Sequence, residues 1–590
     1  MVKYFFQFFC AVFSGLIFFV GGVFAQKKGW LATDVYLAEY ACLIALAVYV
    51  LLLPKMAEKI KHLFCDYDWA DETVRLYKSV PTVYRQSFWI LFGFINLAFL
   101  FHTINFMWGN EDWAAVRSAV NPAEGVAKGA FSLYWWQEIL FEGKILPVIN
   151  NLAAFFGLSL AGVLLAIYWK LPQRVLPITV CGLIFAVTPY TLAVLYFAKT
   201  SLAFCLLPAM ILTAFLLAEK KANSPISAYF YNIVSVLLLL WAFGTYGSVV
   251  NLAFLLLLGK VFLKATVADE KLKNAFQSIK QGVANFTAAL MIYWLVLLVL
   301  FEIGRLNGSE SFWGMLSEPL LRLPRVFEYA MTQFVQPLPF MELGYKILYL
   351  LWAVWALFVL IYKAPDAKAS LRGIVLVPFL LLASVAALAF LHNPAEHTVV
   401  MTFFGLPFLF ALIFVLLIRL GGGVVYRLTF VLAFCLIFMN FVRVAYAEKV
   451  WKFGWDAETK LAERIITRLE KMPEFDINRQ YKLLQIGEQS LRSKYYVQGK
   501  NEANSGALLN RAYYAEGKGK DAYNFFYQTD FLSGDAQGEA FKEPAVREFL
   551  LNKAQAWPSQ NSIYIYGTYI VLVLDENRLV QAQQFINQNF

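Results

Sequence analysis

The residues best suited to chemistry in this chain are Asn110-Glu111-Asp112-Trp113. Two carboxylates stand side by side just past a long apolar run, Gln86 to Trp108. An acid at the edge of a bilayer is costly unless it has a partner or a task. A carboxylate within hydrogen-bond reach of a hydroxyl can take its proton as that hydroxyl attacks an electrophile. The competing reading is a pair of solvated loop charges. The surrounding segment 108–146 also holds Arg117, Glu124, Lys128, Glu138, Glu142 and Lys144, with Tyr134, Trp135 and Trp136. Such aromatics suit a membrane headgroup belt, and they also suit stacking on sugar faces.

Two further polar segments follow. Arg305, Arg322 and Arg325 lie between Ile303 and Leu343, among Trp313, Phe327, Tyr329 and several prolines. These cations suit a phosphate site under a covering loop, or plain snorkelling on an interfacial helix. His392 and His397 flank Glu396. They fit phosphate or sugar binding, or ordinary loop polarity. No other His or Cys joins them, which argues against a zinc site. No cofactor is implied and the need for a divalent metal stays open, since beyond Glu111-Asp112 no paired acidic motif of metal-ligand type occurs.

The elements that must position these residues are membrane helices. The chain has 590 residues, of which 60% are hydrophobic and 15% charged, against roughly 25% charged in a soluble domain. The net charge of +10 does not point to nucleic acid, because the basic residues cluster in short loops, where they set orientation. None of the six cysteines falls in the polar tail, so no disulfide framework is available there.

Since about 20 apolar residues cross a bilayer, about thirteen spans are expected. They are 4–24, 35–54, 86–107, 147–169, 174–190, 193–218, 229–244, 247–265, 284–303, 345–363, 373–391, 399–418 and 424–446. The first ends in Val23-Phe24-Ala25-Gln26, which resembles a signal-peptidase site, but its apolar stretch is long for a signal peptide and reads as a retained helix. Thr188-Pro189-Tyr190 and Gly244-Thr245-Tyr246-Gly247 carry the breakers needed for tight reversals. Basic loops after spans two, four, six, eight, ten and twelve share one side if the N-terminus is cytoplasmic, with Lys27 and Lys28 as counter-evidence. Segments 108–146, 304–344 and the tail then lie outside. Residues 1–446 are thus expected to form a membrane domain and 447–590 a small α/β domain. In the tail, Asp456 to Met472 reads as an amphipathic helix, and Tyr481–Ile486 and Tyr564–Leu574 as strands.

An ordered set of short motifs adds a resemblance. Asn110-Glu111-Asp112-Trp113 is followed by Glu142-Gly143-Lys144-Ile145-Leu146-Pro147, then Thr188-Pro189-Tyr190-Thr191-Leu192, Leu195-Tyr196-Phe197 and Leu207-Pro208-Ala209-Met210. Val450-Trp451-Lys452-Phe453-Gly454-Trp455-Asp456 follows the last span. From about residue 85 to about 490 the order resembles the bacterial O-antigen-modifying (Gtr-type) glucosyltransferases, polytopic enzymes of the GT-C class. The resemblance implies a bacterial inner-membrane enzyme working at the periplasmic face. It would move a sugar, glucose first, from a polyprenyl-phosphate donor to a glycan or lipid-linked glycan. It implies Asp112 as base, with Glu111 as the alternative or as a supporting acid. It implies Lys144 as a donor-phosphate contact, where the family tends to carry Arg, and a point charge replaces the bidentate fork. Arg305, Arg322 and Arg325 could serve the same phosphate, and Trp113, Tyr134, Trp135, Tyr190 and His397 the sugars. An acid that commonly follows the family's Pro-Tyr turn is absent, and Lys199 stands in that stretch.

Two other classes compete. A transporter or flippase of a lipid-linked saccharide would place ionisable groups inside several spans. Here the spans offer mainly Asn96, Asn105, Asn150, Asn151 and Asn251, and the ionisable residues are expected at span ends. An O-antigen polymerase or ligase would concentrate Arg in a large loop between spans rather than end in a separate tail.

Overall fold

The computed structural model describes residues 77–105, 129–134, 136, 144, 146–195, 197–198, 200–221, 224–302, 326, 343–386, 403–487, 523–524, 527, 529–533 and 536–589. Contacts divide the chain into Met1–Pro81 and Thr82–Phe590. The expected spans 4–24 and 35–54 lie outside the described residues. The bundle belongs to the second unit.

That unit is a helical bundle. It comprises α1 (Thr82–Ala98), α2 (Leu100–Ile104), α3 (Pro147–Tyr168), α4 (Val175–Ala186), α5 (Pro189–Leu195), α6 (Ser201–Glu219) and α7 (Pro225–Thr245). It continues through α8 (Val250–Thr266), α9 (Lys280–Glu302), α10 (Leu343–Lys363), α11 (Ala367–Val385), α12 (Leu406–Leu420) and α13 (Val424–Glu470). Among the described residues eight helices are long and apolar enough to cross a membrane, or nine if the bent pair α4–α5 counts as one span. The chain is a helical polytopic membrane protein. Burial sorts these helices into layers. The α6 and α8 spans bury 72% and 83% of their apolar windows, whereas those of α7, α9 and α10 bury 22–28%. The first group is central and the second turns Leu, Ile, Phe and Trp side chains outward, as lipid contact requires.

Small residues let the central helices approach closely. A Cβ on Gly162 of α3 would sit 3.1 Å from the Gly182 Cα of α4 and 3.0 Å from the Leu91 Cδ1 of α1. Leu91 is fully buried as the wedge between them.

The reversal expected after Pro189 is placed differently. The fifth span breaks earlier, at Val187-Thr188, and α5 leaves α4 at 60°. Pro189 has no N–H to continue the α4 ladder. The Thr188 hydroxyl instead accepts the Thr191 backbone N–H at 3.2 Å, capping α5. The chain turns back only beyond Leu195, and α6 begins at Ser201. The break near Gly244 falls where expected, between α7 and α8.

The last span and the tail helix are one element. α13 runs unbroken from Val424 to Glu470, through the 446/447 boundary expected from composition. At ~1.5 Å per residue it is about 70 Å long. Its second half carries a four-stranded sheet of β1 (Tyr481–Ile486), β2 (Phe531–Ser533), β3 (Ile563–Tyr566) and β4 (Tyr569–Val573), ordered β2-β1-β4-β3. β1 runs parallel to β2 and β4, and β3 pairs antiparallel with β4. The expected single strand 564–574 is therefore a hairpin. Gly567, at φ +58°, supplies the left-handed turn residue. Alternation assigns the two faces. Leu483, Ile570 and Leu572 pack in one core with Leu461, Ile465 and Leu469 of α13. Leu484, Val571 and Val573 face Val546, Phe549 and Leu550 of α14 (Pro544–Asn552) and Leu579 and Ile586 of α15 (Glu576–Asn589). Arg468 of α13 locks the docking by donating to the Ser559 carbonyl at 2.8 Å and lying over the Trp557 ring at 4.3 Å. Tyr527 donates to the Thr459 carbonyl at 3.2 Å. Burial, helped by the nearby Glu463 carboxylate, pushes this phenol up to about 12, so it remains a neutral donor.

Candidate active site

Side-chain contacts define the two ends of the bundle. At one end α3 and α6 begin: the Asn150 amide donates to the Ala198 carbonyl at 3.3 Å. Tyr246, just past α7, packs on Phe204 of α6 and on Phe404 before α12, with centroids 4.7 and 5.6 Å apart. At the other end the Arg419 guanidinium reaches the Trp169 carbonyl at 3.3 Å. There Arg372 joins α11 to Asp269 and to the Glu270 carbonyl, the latter at 2.6 Å.

The Asn150 end is where the expected site residues lead. Lys144 is exposed, just ahead of Pro147, which opens α3 at its first turn. Proline suits that position because its missing N–H would find no partner there in any case. Phe131–Tyr134 forms a single helical turn seated on the end of α7. A Cβ on Gly244 would fall within 2.5 Å of Phe131 Cζ and of Ser132 Oγ, so glycine is what lets this turn dock. Trp136 extends the seat, donating to the Thr245 hydroxyl at 3.2 Å and meeting Trp241 edge-on. Tyr190 lies on α5, only 3% exposed, with its phenol within electrostatic reach of Tyr349. Glu111, Asp112, Trp113, Trp135, Arg305, Arg322, Arg325 and His397 lie outside the described residues, as does the Tyr134 side chain.

The structure adds residues that sequence reasoning passed over. Glu448 of α13 is 1% exposed and His102 of α2 is 4% exposed. The Glu448 carboxyl faces the His102 backbone N–H, and the His102 ring faces the Leu195 carbonyl at the end of α5. Glu448 Oε1 has no hydrogen-bond partner. More than two turns earlier on α13, Asn440 Oδ1 accepts from the Tyr349 hydroxyl at 2.7 Å, while Asn440 Nδ2 is unmatched. Asn150 Oδ1 and both amide atoms of Asn251, at the starts of α3 and α8, are also buried and unmatched. Buried polar groups nearly always find partners, so these exceptions call for a cause, as do those elsewhere in the bundle such as the Tyr168 hydroxyl. A polar substrate is one.

The expectation that ionisable residues stay at span ends holds for Glu448, next to the last residue of the span Val424–Lys449, but not for Lys260, inside the span Gly247–Thr266. Glu448 and Lys260 are buried within apolar helices, the latter paired with Glu219. The signal was present: an ionisable residue inside a span is a functional candidate by default. Both stand near the ends of long apolar runs, and a linear reading assigns such positions to water. Among the described residues no three His, Cys, Asp or Glu side chains gather as metal ligands.

Taken together, a lipid-facing helical bundle and a broken span define a polytopic membrane protein, with buried polar groups left unmatched inside it. The model of the family Glucosyl transferase GtrII matches residues 110–418, more than half of the chain, and the chain belongs to that family. It is accordingly a glycosyltransferase of the glucosyltransferase type. No curated protein and no solved structure matches the chain.

Proposed function

We propose that the protein transfers a sugar, glucose first, from a polyprenyl-phosphate donor to a lipid-linked O-antigen or another surface glycan. The reaction takes place at the periplasmic face of a bacterial inner membrane, with the N-terminus cytoplasmic. The acceptor oxygen attacks the anomeric carbon as the bond to the phosphate oxygen breaks, which inverts that centre. Asp112 takes the hydroxyl proton, with Glu111 as the alternative base. The departing phosphate needs little acid help, so one carboxylate suffices. Lys144 meets the donor phosphate as a point charge, assisted by Arg305, Arg322 and Arg325. Trp113, Tyr134, Trp135, Tyr190 and His397 contact the sugars.

The observation that carries this reading is where the family match begins. It opens at Asn110, on the acidic tetrapeptide itself, and runs through the polar end of the bundle. The family favours transfer over the transporter and the polymerase or ligase readings. Glycan analysis of cells carrying Asp112→Asn or Glu111→Gln tests the base. One of the two should lower glycan glucosylation by at least 100-fold, at the low end of what general-base catalysis contributes, about 10²–10⁴. Full glucosylation in both would remove the pair from the chemistry.

A further inference from the structure

The end of the bundle opposite Lys144 holds a second built site. A cleft of about 350 Å³, counting space open to solvent, is lined by Tyr168 at the end of α3, by Trp169 and Lys170 just past it, by Lys260 and Lys264 of α8, by Glu270, and by Arg419 of α12. It lies at the far end of α3 from Lys144, about 30 Å away at ~1.5 Å per residue. We infer that this cleft binds the phosphate of an anionic lipid headgroup.

Charge accounting supports an anion. Glu219 neutralises Lys260, and Glu270 sits 3.4 Å from Lys264. Among the described residues no acid pairs with Lys170 or Arg419, so the cleft retains two unopposed cations. Arg419 spends one N–H on the Trp169 carbonyl and has others to offer. A neutral donor is also present. Tyr168 is 1% exposed, its ring lies 4.1 Å under the Lys260 ammonium, and its hydroxyl has no hydrogen-bond partner. An unmatched buried hydroxyl among cations suits a phosphate oxygen.

The backbone carries strain at the same place. Lys170 adopts φ +54°, a left-handed conformation that ordinarily favours glycine. It is held by a 2.9 Å bond from the Leu171 N–H to the Ala166 carbonyl. Lysine in a position that glycine would fill without strain points to the ammonium. A lipid is favoured over free phosphate because of where the cleft opens. It sits at the ends of two bilayer-length helices, α3 and α8, where the span gives way to the headgroup layer. Basic pockets between membrane helices bind anionic headgroups in this way.

Native mass spectrometry of the full-length protein, extracted from nanodiscs of phosphatidylglycerol or of phosphatidylcholine, tests the inference. Wild type should retain phosphatidylglycerol preferentially. Lys170→Gln and Arg419→Gln should each lower retention about fivefold, and the double variant about 25-fold. Tyr168→Phe should weaken it less. Lys170→Arg should restore binding, which separates loss of charge from loss of fold. Equal retention of the two lipids by wild type, or unchanged retention in the double variant, would overturn the site. Inorganic phosphate that displaces the lipid completely, or protects the protein from heat equally well without lipid, would overturn the lipid assignment. None of these readouts depends on glycosyl transfer, so the result stands apart from that reading.

Discussion

Glu448 shows how residue-scale energetics separate structure from function. A buried carboxyl with one unmatched oxygen gives little stability in return for its desolvation. If its role were structural, removing the acid would leave the fold less stable. We predict the reverse: Glu448→Gln leaves thermal stability equal or higher and lowers glycosyl transfer at least tenfold. A melting curve and a transfer assay on the same preparation decide it, and retained activity would return Glu448 to the core. Lys144 makes the complementary case on the exposed side. As a single point charge meeting a phosphate, Lys144→Ala should weaken donor-lipid binding by about 10- to 150-fold, in line with the ~1.5–3 kcal/mol of a charged hydrogen bond. Undiminished binding would remove it from the donor site. The sequence displayed Lys144 because it follows a polar loop into an obvious span. It concealed Glu448 because Ala447-Glu448-Lys449 looks like the polar end of one.

At the scale of elements, breakers decide where the site is made. Pro189 and Gly244 were legible as reversals, and both act near the polar end. Pro189, however, bends a span instead of ending it, because the Thr188 cap gives α5 its own start. Such side-chain capping leaves no trace in a hydropathy profile. Gly244 works by absence, leaving room for Phe131 and Ser132. Gly244→Ala should cost about 1–3 kcal/mol by overpacking and free Trp136 from Thr245. A red-shifted tryptophan emission with a lowered melting temperature is the expected result, and an unchanged spectrum would detach the turn from α7. Between α6 and α8, Lys260 and Glu219 form an ion pair whose Lys260 side chain is 7% exposed. Glu219→Gln leaves a buried ammonium unpaired and should destabilise the bundle by about 3–5 kcal/mol. Adding Lys260→Met should recover much of that loss, and a double variant no more stable than the single would refute the coupling.

For the whole molecule the prediction concerns sidedness. Lys144 and Lys170 flank α3, a helix of bilayer length. Cysteines placed at the two positions should label from opposite sides of intact spheroplasts, Lys144→Cys from outside and Lys170→Cys only after permeabilisation. Tyr566→Cys, on the exposed edge of the tail sheet, should label with Lys144→Cys. Labelling of both flanking sites from one side would undo the topology. The sequence by itself determined that this is a helical polytopic membrane protein, most of its span positions and its glucosyltransferase family. Those properties rest on hydrophobic length and on local motif order, which act along the chain. Only the tertiary structure decided that α13 runs unbroken into the tail, that 564–574 is a hairpin, and that Glu448 meets His102 beneath the end of α5. It also decided that Tyr168, Lys170 and Arg419 share a cleft. Such contacts join segments remote in sequence, and the free energy of desolvating a charge depends on what surrounds it in space.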